Sequence, residues 1–482
     1  MTTRFVQIAV AILILLTGAE LTGGTKSHRG PSSCSMGDIR GNIDYDLSDL
    51  VDIADLVYLI DWMFHGAPEP ICLYEANVDG SCCTDPPGES TTDINITDLV
   101  YLVDFLFTDG PPPAPSPTTE RWEKTYGGHE PDDAISVAQA DDSGYATIGS
   151  TSSYGAGDGD VYLVRTDAWG DTVWTQTYGG SGYDHGSDIV ASSDGGWVIA
   201  GHTASMTPQG WDAYVLKVDS IGNLIWQKNF GGEGPASDMA LEVIVTHDDG
   251  YLLAATVSTP EEWYVGCLYK LNASGDSVWA KTYHNPRGIV AWCVVATPDG
   301  GYALTGSLAG WSPMFLLKTD SLGDSMWTRT YESGFYGRAL TTTDDGGYIL
   351  VGKTNADHHY REYLYVIKTN AVGDTVWTRY FGYDVDSFGT AVVQANDGGY
   401  VIGGTLSTPW RNQDACLIKL DTVGNTVWSR VYGGNGHDYG QGMVACSDGG
   451  YIVVGLADSF QSGGSSLYDV YLIKTDAEGY SQ

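Results

Sequence analysis

The chain has 482 residues, more than one compact core usually organises, so at least two domains are expected. Sixty-one acidic residues against 23 basic ones give a formal charge of −38, which argues against nucleic acid and anionic lipid as partners and suits divalent cations. Heavy use of Gly (63), Tyr (31) and Trp (15) beside only 10 Phe favours many short strands and tight turns over helices.

The chain opens with Arg4, an apolar run from Phe5 to Leu16 and the small-residue stretch Thr17-Gly18-Ala19. This is the layout of a secretory signal peptide, expected over residues 1–19 and too short to anchor in a bilayer. No Cys follows closely enough to take a lipid, and no later segment is long and apolar enough to span a membrane. The mature protein is expected to be secreted, with any cell-surface attachment made through a partner. Cys34, Cys72, Cys82 and Cys83 fall in a small N-terminal module, where export makes disulfides plausible. Cys267, Cys293, Cys416 and Cys446 fall on later strand positions and read as small buried apolar residues.

Residues 34–108 contain a near-repeat. Val51–Phe64 (VDIADLVYLIDWMF) and Ile94–Phe107 (INITDLVYLVDFLF) each read as an amphipathic helix, with Leu56, Leu59, Ile60 and Met63 sharing one face of the first. Oxygen-bearing side chains alternate ahead of each helix. The first set is Asn42, Asp44 and Asp46, then Asp52 and Asp55; the second is Asn77, Asp79 and Ser81, then Asn95 and Asp98. Alternating oxygens closed by a carboxylate at the helix start suit a hard cation such as Ca²⁺. A small helical spacer whose acids only cap its helices is the alternative.

The doubled [DN]-I-x-D-L helix entry resembles the type I dockerin module. That resemblance implies two EF-hand-like calcium loops and docking onto a cohesin-like partner. The loops depart from the family pattern: the first carries a two-residue insertion, the second a long insert over 81–92 with adjacent Cys82 and Cys83, and no Gly follows Asp46. Residues 109–120 form a Pro-rich linker expected to run extended.

From residue 121 to the end, one motif dominates. Trp122, Trp174, Trp226, Trp279, Trp327, Trp377 and Trp428 recur at intervals of 52, 52, 53, 48, 50 and 51 residues. Each opens a version of WTxTYGG, followed in turn by DGGY, an apolar strand, a strand like VYLIKTD and a D-x-x-G-[DN] turn. Four β-rich runs per repeat make one propeller blade, strands A to D from the axis outward, and the fold class is therefore all-β: a seven-bladed propeller with a small helical module ahead of it. Because the chain stops where an eighth Trp strand would start, the Trp122–Tyr126 strand is expected to close the last blade beside Tyr471–Thr475. This array resembles secreted bacterial and archaeal propellers built from W-x-K-T-Y-G-G and D-G-G-Y repeats.

Thirteen of the basic residues recur with the blade. Strand C carries Arg165, Lys217, Lys270, Lys318, Lys368, Lys419 and Lys474. Strand D carries Lys124, Lys228, Lys281, Arg329, Arg379 and Arg430 two places after its Trp. These read as scaffold, leaving Arg121, Arg287, Arg338, Lys353, Arg361 and Arg411 in the propeller for anything specific. The D–A and B–C loops differ between copies, whereas the other two turns are uniform, so the D–A and B–C face is the candidate ligand-binding surface. Glu261, Glu262, Trp263, Trp311, Tyr360, Trp410 and Arg411 are its expected residues, with aromatic rings to stack on sugars and nearby charges to hold hydroxyls.

The D-x-x-G turn also resembles the Asp-box of sialidases and the tryptophan-docking turn of quinoprotein propellers, structural in both families. No G-x-S-x-G, H-E-x-x-H or P-loop pattern occurs. The expected function is a secreted, non-catalytic modular protein with a calcium-dependent docking module and a propeller that binds a glycan or a protein. The rival reading is an extracellular polysaccharide-degrading enzyme, a glycoside hydrolase or lyase, with the propeller as its catalytic domain.

Overall fold

The computed structural model describes residues 121–482, apart from 207–209, 232–236, 260, 263, 309–312, 333, 355–361, 383–386, 408–411, 461–467 and 482. The chain divides into two units, Met1–Thr119 and Glu120–Gln482, and the second is the propeller. The expected signal peptide, dockerin-like module and linker all lie outside the described residues.

Among the described residues, 28 strands form seven four-stranded antiparallel sheets. Six blades use strands consecutive in the chain. The seventh takes Asp438–Ala445, Tyr451–Ala457 and Asp469–Thr475 from the C-terminal end and its outer strand, Trp122–Tyr126, from the start of the unit. Trp122 pairs with Lys474 and Tyr126 with Val470 in antiparallel register. The ring is thus closed by its two ends, as the repeat phase predicts, and every blade has its full four strands.

Burial within a blade follows strand position. The B and C strands lie between neighbouring sheets, so Tyr145–Thr151 and Asp160–Thr166 are buried at every residue, their polar members included. The outer strands alternate between exposed and half-buried, as one-sided strands should. The core is a set of layers shared by adjacent blades: Leu252 and Leu268 of blade 3, for example, pack with Val294, Leu304 and Phe315 of blade 4. Cys267, Cys293, Cys416 and Cys446 are free and buried among these layers.

The repeated motif holds blade to blade. In the outer strand Ser277–Tyr283, residues 279, 281 and 283 share one face by the two-residue period. That face meets the C–D turn of the next blade. Trp279 lies on Gly323, Lys281 Nζ bonds Asp324 at 2.6 Å, and the Tyr283 hydroxyl donates to the Gly323 carbonyl at 2.7 Å. All seven repeat tryptophans dock this way, on Gly170, Gly222, Gly275, Gly323, Gly373, Gly424 and Gly479. These glycines have φ between 76° and 84°, and a Cβ on any of them would sit 2.7 to 3.0 Å from the tryptophan ring.

The strand C cations are tied down inside their own blades. Arg165, Lys217, Lys270, Lys318, Lys368, Lys419 and Lys474 are buried, and each reaches the Asp of its A–B turn (Asp142, Asp194, Asp248, Asp299, Asp345, Asp397 and Asp448) at 2.5 to 2.9 Å. Each buried charge is thereby paired and hydrogen-bonded, the condition on which it is tolerated. The Thr297 hydroxyl, with Lys318 and the Gly301 amide, holds the Asp299 carboxyl down to about 2 against its partial burial.

Removing residues 1–120 should leave a soluble propeller that elutes as a monomer on size exclusion. Removing residues 1–126 should strip the outer strand from the last blade and give aggregation and a lower melting temperature. A soluble monomer of unchanged stability from the shorter chain would contradict closure by Trp122–Tyr126.

Candidate binding site at the channel mouth

The inner strands surround a central channel whose cavity is about 460 Å³. Six of them carry a register shift in which one extra residue is inserted: Ser187, Leu241, Trp292, Arg338, Thr390 and Gln441. All six line the channel. A small residue precedes each of them, namely Gly186, Ala240, Ala291, Gly337, Gly389 and Gly440. Space explains that choice: a Cβ on Gly337 would lie 2.3 Å from Thr305 Oγ1, and one on Gly440 2.4 Å from the Gly404 carbonyl oxygen. The bulge thus turns one side chain toward the axis in each of these six blades.

The residue after the bulge points toward the next blade instead. In blades 2 and 3 it is acidic. Asp188 accepts hydrogen bonds from Ser136 Oγ at 2.6 Å and the Val243 amide at 2.9 Å, and Glu242 accepts from the Val294 amide at 2.8 Å. Innermost strands have no neighbour beyond them, so these carboxyl groups satisfy amides that the ladders leave unpaired. Burial pushes the Asp188 carboxyl up to about 6. Burial, and then the Asp188 charge, push Glu242 up to about 8, against the opposing bonds from Cys293 and Val294.

Beside the channel, at the end where the D–A and B–C loops lie, a pocket of about 360 Å³ is lined by Trp292, Tyr336, Arg338, Lys353, Phe388 and Gln441. Arg338 stacks on the Trp292 ring with its guanidinium carbon 4.5 Å from the centroid, and Lys353 Nζ lies 4.6 Å from the Tyr336 centroid. Lys353 is neutralised by Glu362 at 2.6 Å. Burial pushes the Arg338 guanidinium down from its ordinary value, and the group opposing this is the Tyr336 hydroxyl, not a carboxylate. The Trp292 indole N–H is buried without an acceptor among the described residues.

Blade 2 contributes a ring stack on the same face. His185 and His202 lie 5.1 Å apart between centroids, His202 and Trp211 4.8 Å apart, and Tyr183 packs 6.0 to 6.2 Å from all three. Burial pushes His185 down to about 4. Burial and then His185 push His202 down to about 3, so both imidazoles are neutral at neutral pH and act as flat aromatic surfaces. Trp211 ends the stack, 36% exposed.

Of the residues expected from sequence, Glu261 is exposed, and Glu262 pairs with His284 Nδ1 at 2.9 Å on the surface. Neither lines the channel or the pocket beside it. Trp263, Trp311, Tyr360, Trp410 and Arg411 lie outside the described residues, as do the expected calcium ligands. The loops drew attention because their copies differ in length, but the cavity is walled by strands. The signal was present all the same: the place after the small inner-strand residue reads Ser, Leu, Trp, Arg, Thr and Gln across six copies, and Arg338 and Lys353 are cations that the repeat does not account for.

No family model matches the chain, and no curated protein matches it. Solved structures similar to it include a protein of unknown function from Bacteroides caccae (12% identity, TM-score 0.40, covering 63% of this chain and 94% of that one). Another is Sqt1 of Chaetomium thermophilum bound to the N-terminus of ribosomal protein L10 (12%, TM-score 0.44, 70% and 86%). A third is a protein of unknown function from Dyadobacter fermentans (12%, TM-score 0.43, 74% and 98%). Likeness at this distance concerns the fold alone, and the propeller assignment rests on the strand pairing given above.

The raised Glu242 carboxyl sets a pH dependence. A carboxyl whose folded value lies above its unfolded one contributes fully below the unfolded value and loses that contribution as pH rises through the folded one. Relative to Glu242→Gln, which stays neutral, the native propeller should therefore lose stability on the order of 1–3 kcal/mol between about pH 5 and about pH 8. Thermal melts of the two proteins across that window check this; parallel curves would contradict it.

Proposed function

We propose that this chain is an exported, modular, non-catalytic recognition protein whose propeller binds a polysaccharide at the channel mouth. The observation that carries the reading is the pocket of about 360 Å³ walled by Trp292, Tyr336 and Phe388, with Gln441 at its edge. Its size falls in the range of small-ligand sites, roughly 300–1,000 Å³. Aromatic faces stack on the apolar faces of sugar rings, and an amide both donates to and accepts from hydroxyls. The exposed Trp211 on the same face offers a second platform.

An enzyme acting by acid–base chemistry would need carboxyl groups free to meet a substrate. The buried pair in the channel, Asp188 and Glu242, is engaged with inner-strand amides, which favours a binding role. No helix of the described residues is long and apolar enough to cross a membrane. Export is supported by the apolar N-terminal segment. The dockerin-like module, with Asn42, Asp44, Asp46, Asp52, Asp55, Asn77, Asp79, Asn95 and Asp98 as its oxygen donors, is supported by the doubled helix-entry pattern. In this reading it binds Ca²⁺ and places the propeller on a cohesin-like partner.

A polysaccharide panel should show saturable binding without release of product, and Trp292→Ala should weaken it about tenfold while the fold is kept. Turnover that disappears in Asp188→Asn or Glu242→Gln would overturn the non-catalytic reading. Calorimetric titration of the exported chain with Ca²⁺ should give a saturable heat that Asp55→Ala and Asp98→Ala reduce; the absence of any heat would remove the module assignment.

A further inference from the structure

The scaffold uses up its cations. Six of the seven strand C bases are lysines bound to turn carboxylates, the seventh is Arg165 on Asp142, and the strand D bases reach the turn of the next blade or stack on its rings. Arg338 differs from all of these. It is the inserted residue of its inner strand, it faces the channel mouth, and among the described residues it makes no ion pair or hydrogen bond. Its neighbour Lys353 is neutralised by Glu362, so among the described residues Arg338 is the one cation of the pocket without a counter-charge, in a protein of net charge −38. Keeping a half-buried guanidinium without a counter-charge costs free energy that the scaffold pairs do not incur.

We infer that the pocket is built for an acidic sugar: a hexuronate unit of the bound polysaccharide, its carboxylate on Arg338 and its ring against the aromatic wall. This rests on the glycan-binding reading above and names the chemistry of the ligand. The planar guanidinium fork matches a carboxylate in two parallel hydrogen bonds. Stacking on Trp292 fixes the plane of that fork, which lowers the entropy lost on binding. The Gln441 carboxamide lines the same pocket and can both donate to and accept from hydroxyls. The surrounding field of carboxylates repels any anion that lacks this contact, so the same charge balance that weakens general anion binding sharpens selection at the mouth.

Calorimetry on the full chain with trigalacturonate, its methyl ester and a glutamate-rich peptide tests the inference. The acid should bind about ten- to hundredfold more tightly than the ester. Arg338→Gln should remove that difference and leave ester binding in place, and Arg338→Lys should restore part of it, with thermal melts showing that both variants fold. Equal binding of acid and ester, a preference that survives Arg338→Gln, or binding of the peptide alone would overturn the inference. Binding confined to neutral sugars would overturn it and leave the glycan reading standing; failure of every sugar to bind would remove both.

Discussion

The contact on which the propeller depends is the tryptophan of one blade lying on a glycine of the next. It needs a residue in the left-handed region with no side chain, because a Cβ there would occupy the space of the ring. It also needs the ring to project from the outer strand at the radius of the neighbouring C–D turn. Both conditions are met seven times, once across the junction where Trp122 meets Gly170. The first strand therefore does double service. It completes the hydrogen bonding of the last blade and carries the docking ring that joins that blade to the first. Each such contact adds to the core layers that neighbouring blades share, and the glycine it requires recurs in all seven D-x-x-G or N-x-x-G turns.

Charge follows from the same geometry. Each blade buries a basic side chain from strand C and matches it with the Asp of its A–B turn, so these cations are scaffold. With the remaining surface strongly acidic, a cation outside the repeat stands out. Arg338 is such a cation, and the β-bulge that inserts it into the inner strand is what brings it to the axis. Bulges permit this because a two-residue period would otherwise bury or expose every copy of that position alike.

The fold was legible in the sequence because it is repetitive. Trp spacing, turn signature and the final half-repeat together specify seven blades and the closing strand. The strand C and strand D basic positions were readable as scaffold for the same reason, although their partners, the turn aspartates of the same blade and the turn of the next, become visible only in three dimensions. The site was less legible. Loop variation pointed to the face on which the proposed pocket opens, but Glu261 and Glu262 do not line that pocket or the channel, and Glu262 is held by His284. Arg338 stood out as a cation that the repeat does not account for, but its place at the channel, and that of Trp292, could not be read because a bulge shifts the side-chain alternation by one residue. Asp188 and Glu242 were indistinguishable among 61 acids until their burial at the channel was known.

The repeat tryptophans are scaffold, whereas the proposed ligand contact is made by Trp292 at the channel mouth. Fifteen tryptophans give fifteen indole N–H reporters, and following their NMR resonances during titration with a bound oligosaccharide tests this directly. The Trp292 signal should move, while those of Trp122, Trp174, Trp226, Trp279, Trp327, Trp377 and Trp428 stay in place. A stationary Trp292 signal, with shifts confined to the loop residues Trp263, Trp311 and Trp410, would contradict the account.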